Sequence, residues 1–190
     1  MKLVFASNNN NKLVEIRQQL PESIEILSLA DIGFTEDIPE TAHTIEGNAI
    51  LKADYVTSKY GLNCFADDTG LEVDALNGAP GVYSARYAGP QKDSNDNMDL
   101  LLKNLDGKEN RSARFKTVIA LNLDGEQHLF TGIVEGEIIT EKRGILGFGY
   151  DPVFVPNGLT TTFAEISLAE KARLSHRGRA VAQLIDFLSR

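Results

Sequence analysis

A chain of 190 residues, 42% hydrophobic and 24% charged, has the composition of one globular domain, residues 1–190, able to build one substantial core or two closely packed lobes. A formal charge of −8 and a pI of about 4.9 exclude a surface built to neutralise a nucleic-acid polymer or to lie on an anionic membrane, while leaving room for a local basic pocket that takes a small anion. The single cysteine, Cys64, excludes a disulfide framework and a multi-cysteine zinc site, and with no signal-peptide run at Met1–Ser7 and no stretch near the ~20 apolar residues of a bilayer span, the sequence reads as cytoplasmic.

The apolar run Leu3–Ala6 predicts a strand, the polar Ser7–Lys12 a loop, and Leu13, Ile16 and Leu20 a helix that ends before Pro21. Ile24–Leu27 reads as a second strand, and 31–44, polar and containing Pro39, as an irregular loop. Residues 46–60 carry helical spacing, with Gly61 at a plausible C-cap. Cys64-Phe65-Ala66 is a buried strand that ends at Asp67-Asp68-Thr69-Gly70, and the Gly- and Pro-rich 77–90 is a loop. A helix follows over 95–105. Residues 114–140 alternate apolar and polar around Asp124-Gly125, a strong hairpin signal. A glycine-rich loop over 144–156 and an amphipathic helix over 178–188 complete the chain. Alternating elements plus one long hairpin argue for an α/β or α+β sheet with helices packed on it.

Five segments carry chemistry. Ser7-Asn8-Asn9-Asn10-Asn11-Lys12 opens a helix after a strand, so it offers backbone N–H groups, side-chain amides and a lysine to a polyphosphate; it fits equally a polar turn whose asparagines cap the helix. It lacks the glycines of a Walker loop. At Asp67-Asp68, two adjacent carboxylates at a strand end repel one another unless a cation intervenes, which favours Mg²⁺; the alternative is a pair that caps a turn. Glu40, in an acidic loop with Glu36 and Asp37, is a candidate second carboxylate. The clusters at 81–89 and 147–152 crowd glycines around aromatics, suited to a flat ligand or to an ordinary structural loop. Lys171, His176 and Arg177 place three potential cations in seven residues, as an anion or carbonyl-oxygen site or as a solvated basic turn.

Taken together, the loop at 7–12, Asp67-Asp68-Thr69-Gly70-Leu71, Gly78-Ala79-Pro80-Gly81 with Ser84–Gly89, Phe148-Gly149-Tyr150-Asp151-Pro152 and Ser175-His176-Arg177 resemble, in order and spacing, the inosine/xanthosine triphosphate pyrophosphatase family. The resemblance spans essentially the whole chain. It departs at Asn8, where the family commonly has glycine, at Thr69, where serine is common, and at Gly47, where an acid is common. It implies an α/β fold with an elongated central mixed sheet, flanking helices and two lobes around a nucleotide cleft, working as a homodimer with one Mg²⁺ per subunit. By the same resemblance, Ser7, Asn8, Asn9, Asn10, Asn11 and Lys12 grip the triphosphate, Glu40 and Asp68 hold Mg²⁺, and Asp68 is also the proton acceptor. Thr69 contacts substrate, Phe148, Gly149, Tyr150 and Asp151 enclose the base, and Lys171, His176 and Arg177 complete the site. The implied activity is cleavage of ITP, dITP and XTP to monophosphate and pyrophosphate. Septum-inhibitor-like pyrophosphatases and a non-catalytic nucleotide sensor are the competing readings.

Overall fold

A computed structural model describes residues 1–190. The apolar start of the chain forms β1 (Lys2–Phe5), which leads through Ser7–Asn9 into α1 (Asn10–Arg17) and then β2 (Glu25–Leu27). Asn9 caps α1, its side chain accepting from the Lys12 backbone N–H. The helix is shorter than its apolar spacing suggests. A second crossover, α2 (Ile45–Tyr60), returns the chain to β3 (Cys64–Val73). Thr44 caps the start of α2 and Gly61, at φ 65°, ends it in the left-handed conformation glycine accepts without strain.

The remaining elements are β4 (Pro80–Gly81), α3 (Ser94–Asn104), the hairpin β5 (Ser112–Leu123) and β6 (Glu126–Ile138), β7 (Phe154–Pro156), α4 (Leu168–Leu174) and α5 (His176–Leu188). At the hairpin tip Asp124 (φ 50°) and Gly125 (φ 88°) supply the two positive φ angles that a tight two-residue turn needs. The strand order is β2-β1-β3-β5-β6-β7, with β4 also on β3. β1 runs parallel to β2 and β3; the other pairings are antiparallel. The expected mixed sheet with flanking helices is therefore the observed one.

Two features of this topology make a cleft. The chain leaves β1 towards β2, then crosses back to β3 on β1's other side, so the carboxyl end of β1 and the part of β3 that runs on past it flank a switch point of the kind where open α/β sheets bind ligands. In addition, β1 pairs with β3 only at Cys64 and Phe65, whereas β4 pairs with it only at Leu71 and Glu72. Between them Asp67–Gly70 have β5 on one side and no strand on the other.

The core divides at the same level. Cys64, Phe65, Ala66 and Val118–Leu121 belong to two clusters at the β1 end, one including α2 residues and the other including residues of α1 and α5. Leu71, Val73, Ala113 and Phe115 belong to a third cluster with α3, Tyr150, Phe154 and Phe163. Polar residues cross the sheet between these packed ends: Asp68 lies opposite Val118, Thr69 opposite Thr117, and Gly70 opposite Lys116.

The structure corrects the sequence reading at β3. The strand does not end at Asp67 but runs on to Val73, held by continuous pairing with β5, so the acidic pair is in mid-strand and caps no turn. Two other differences are smaller. α4 was not expected, and Ser175-His176-Arg177 are the N-cap and first residues of α5 rather than a turn preceding it.

Candidate active site

Successive residues of a strand point to opposite faces of its sheet, and this decides what the adjacent carboxylates do. Asp67 points towards α1 and α5, where it accepts from Lys12 Nζ at 3.1 Å and Arg177 Nε at 3.0 Å. Asp68 points towards α2 and accepts from Lys52 Nζ at 3.2 Å. The expected mutual repulsion is thus largely removed by the strand itself, and each carboxylate has its own cation. A metal is not needed to separate them.

From Asp67 the charges alternate through the interior. Arg177 Nη1 reaches Glu15, which also accepts from Lys171 Nζ, and Lys171 reaches Asp151 at 2.6 Å. The side chains of Glu15, Asp67, Asp151, Lys171 and Arg177 are all buried, Asp67 completely. Removing a charge from water is costly unless a partner lies within hydrogen-bonding reach, and here every charge has one. Lys171 and Arg177 are therefore part of the interior, not of the solvated turn that was one reading of the sequence.

Titration follows from this arrangement. Burial pushes Asp67 up, but Lys12, Arg177 and Lys52 outweigh it and hold the carboxyl well below the ordinary range. Asp68 goes the other way: burial raises it, and Lys52 and Lys12 only partly offset the effect. Burial depresses Lys12, with Asp67 opposing. Lys52 is depressed by burial but raised on balance by Asp68 and Glu40. His176 is driven far below its usual value by burial, then by Arg177 and Lys171, so it is a neutral imidazole and not a third cation. It stacks on Phe115, with centroids 4.5 Å apart and planes 17° from parallel, and its buried Nδ1 has no partner. Gly132 of β6 lets the start of α5 approach this closely, since a Cβ there would lie 1.9 Å from the His176 carbonyl oxygen.

A cavity of about 690 Å³, within the size range of ligand pockets, opens over the uncovered edge of β3. It brings together Ser7, Asn8, Asn9, Lys12, Glu40, Asp68, Thr69, Phe148, Gly149, Tyr150, Asp151, Lys171, His176 and Arg177. Asn10 and Asn11 do not line it; their side chains are exposed because the cap at Asn9 turns them outward. Their backbone N–H groups, like that of Asn8, have no acceptor in the protein, as expected of a helix N-terminus. Thr69 Oγ1 accepts from Arg177 Nη2 and lies 2.7 Å from Thr117 Oγ1. Phe148 lies beneath Lys171 and Arg177, at 4.9 and 5.5 Å from its ring centroid. Tyr150 serves differently. Its ring packs in the far core cluster and its hydroxyl donates to the Ser84 carbonyl at 2.6 Å, strapping one cavity wall to another.

Sequence reasoning did not single out Glu15 or Lys52 as site residues. The signal for Lys52 was present: Ile45, Asn48, Ala49, Lys52, Ala53 and Val56 form one buried helical stripe, and a lysine in such a stripe needs an anion. Lys52 finds two, Glu40 at 3.0 Å and Asp68 at 3.2 Å. Glu15 likewise sits beside Ile16 on the buried side of α1.

A doubly wound start to a mixed sheet, with a charged, ligand-sized cleft at its switch point, defines an α/β protein built around a polar small-molecule site. The chain belongs to the Ham1 family, whose model matches residues 3–187. It is 68% identical over 187 residues to a dITP/XTP pyrophosphatase of Flavobacterium psychrophilum, covering 98% of each chain. It is 46% identical over 189 residues to the Bacillus subtilis protein of the same name, covering 97% of this chain and 96% of that one. Among solved structures, the Staphylococcus aureus Ham1 protein superposes with a TM-score of 0.90 at 40% identity, covering 100% of this chain and 98% of the other. The family resemblance read from the motifs is borne out across the chain. No helix is long and apolar enough to cross a membrane.

Proposed function

We propose that the chain hydrolyses the non-standard purine nucleotides ITP, dITP and XTP to monophosphate and pyrophosphate, removing them before they enter DNA or RNA. The observation that carries this reading is the pair Glu40 and Asp68, held on one ammonium at the open edge of β3 and facing the Ser7–Lys12 loop across a single cavity. Relatives named dITP/XTP pyrophosphatase, similar over nearly their full length, support it. We further propose that the chain works as a single-domain homodimer in the cytoplasm.

The residues present fit Mg²⁺. Asp68 engages Lys52 through Oδ1 alone, its other oxygen has no donor in the protein, and the side chain lines the cavity. One or two carboxylates together with substrate phosphates make an ordinary magnesium site, here with Glu40 and Asp68 as the protein ligands. The ion supplies neutralisation of charge on the phosphate oxygens. Lys12 and the open N–H group of Asn8, both at the cavity wall, bind the triphosphate. Asp68 orients and deprotonates the water that attacks the α-phosphorus, and burial, which makes it more basic than an ordinary aspartate, suits it to that task. Phe148 offers a face to the purine. Arg177, with guanidinium N–H groups beyond those given to Asp67, Glu15 and Thr69, and neutral His176 favour a carbonyl at purine position 6. Adenine presents an amino donor there and leaves those groups unpaired.

Hydrolysis of ITP in ¹⁸O-labelled water tests the reaction. The expected products are IMP carrying one ¹⁸O and unlabelled pyrophosphate, with turnover abolished by a chelator. IDP and orthophosphate, or label in the pyrophosphate, would rule out attack at the α-phosphorus.

A further inference from the structure

The buried cations of the cavity are already engaged. Lys12 and Arg177 share Asp67, Arg177 and Lys171 share Glu15, Lys171 also meets Asp151, and Lys52 lies between Glu40 and Asp68. Two further cations line the same cavity and stand differently. Lys92 makes no ion pair, and the nearest carboxylate oxygen to Arg86 is Glu40 Oε2 at 4.0 Å. A triphosphate brings several negative charges, and interactions with it are strongest from cations that have no competing anion in contact.

Arg86 is also rigidly presented. It ends a short 3-10 turn, Ser84–Arg86, in which Ser84 Oγ accepts from Leu71 N–H of β3 and donates to the Gly81 carbonyl. Tyr150 holds the Ser84 carbonyl, while Asn97 of α3 donates to the Ala85 carbonyl and accepts from Ala88 N–H. The guanidinium carbon rests 5.1 Å from the centre of the Tyr83 ring. So many side-chain bonds on five residues fix a planar, bidentate phosphate donor at the wall beside Glu40.

We propose that Arg86 and Lys92 bind the pyrophosphate portion of the substrate, the β- and γ-phosphates that leave, and that they do so because no carboxylate holds either of them at hydrogen-bonding distance. This rests on the activity proposed above. It predicts a division of labour: the buried network shapes the floor and the nucleoside end, whereas the wall after β4 grips the leaving group.

The test uses the whole chain with Arg86→Ala, Lys92→Ala and the double variant, each checked for an unchanged thermal midpoint. Calorimetry in Mg²⁺ measures binding of inorganic pyrophosphate and of IMP, and steady-state kinetics measure ITP. Each single variant is expected to weaken pyrophosphate about tenfold and to raise KM for ITP by a similar factor, with IMP affinity unchanged. Pyrophosphate affinity within twofold of the parent in the double variant would overturn the proposal, as would an equal loss of IMP affinity. Pyrophosphate binding needs no turnover, so a parent chain that failed to cleave ITP would remove the proposed activity and still leave this measurement to decide the role of Arg86 and Lys92.

Discussion

Asp68→Asn is expected to lower kcat for ITP about 10²- to 10⁴-fold at saturating Mg²⁺, the usual range for loss of a general base. The substitution preserves shape and an oxygen for Lys52, which lies 3.2 Å from the present carboxylate. It removes the negative charge that attracts the water proton and weakens the cation's hold on the site. A shift confined to the Mg²⁺ concentration needed for half-maximal rate, with kcat restored at high Mg²⁺, would assign Asp68 to metal binding alone. Near-normal kcat and Mg²⁺ dependence would remove it from the mechanism.

The second large effect concerns stability. Asp67→Ala leaves Lys12 and Arg177 facing one another in the interior without the carboxylate that both contact. Removing one partner of a buried ion pair typically costs about 3–5 kcal/mol, a large share of the about 5–15 kcal/mol that holds a domain together. Urea unfolding at neutral pH is the measurement. The pH dependence carries its own sign: Asp67 is depressed in the folded protein, so its stabilisation is complete above the unfolded value near 3.9 and is lost as pH falls through the lower folded value. The gap between parent and variant should accordingly narrow on going from pH 5 towards pH 2. A gap below about 1 kcal/mol at pH 7 would mean that the alternating charges are dispensable.

The two predictions separate neighbours in sequence that sit on opposite sides of the sheet. That separation is where reading the sequence fell short. Asp67-Asp68-Thr69-Gly70 has the composition of a turn, and only the ladder with β5, which is distant in sequence, keeps it extended. Local propensity was overridden by pairing. The hairpin at Asp124-Gly125 and the end of α2 at Gly61 were legible because each depends on backbone angles within two residues. α4 was obscured by its length, seven residues, although Ser167 and Glu170 form a capping box that the sequence displays. The cavity residues came mostly from motifs, and the structure does place most of them together. What motifs could not reveal is how their charges are divided. Glu15 lies 156 residues from Lys171 and 162 from Arg177 in the chain, and no local pattern indicates that it occupies both. The same division leaves Lys92 without an ion pair and Arg86 with only a 4.0 Å contact to Glu40, a property visible only once every partner is known.

Selectivity for purines that carry a carbonyl at position 6 is read from pyrophosphate release from ITP, dITP, XTP, GTP, ATP and dUTP in parallel, with Mg²⁺ and with chelator. Metal-dependent turnover of the first three is expected, with ATP, whose 6-amino group leaves Arg177 and His176 unpaired, far slower. Comparable rates for ATP and ITP, or a preference for dUTP, would contradict it.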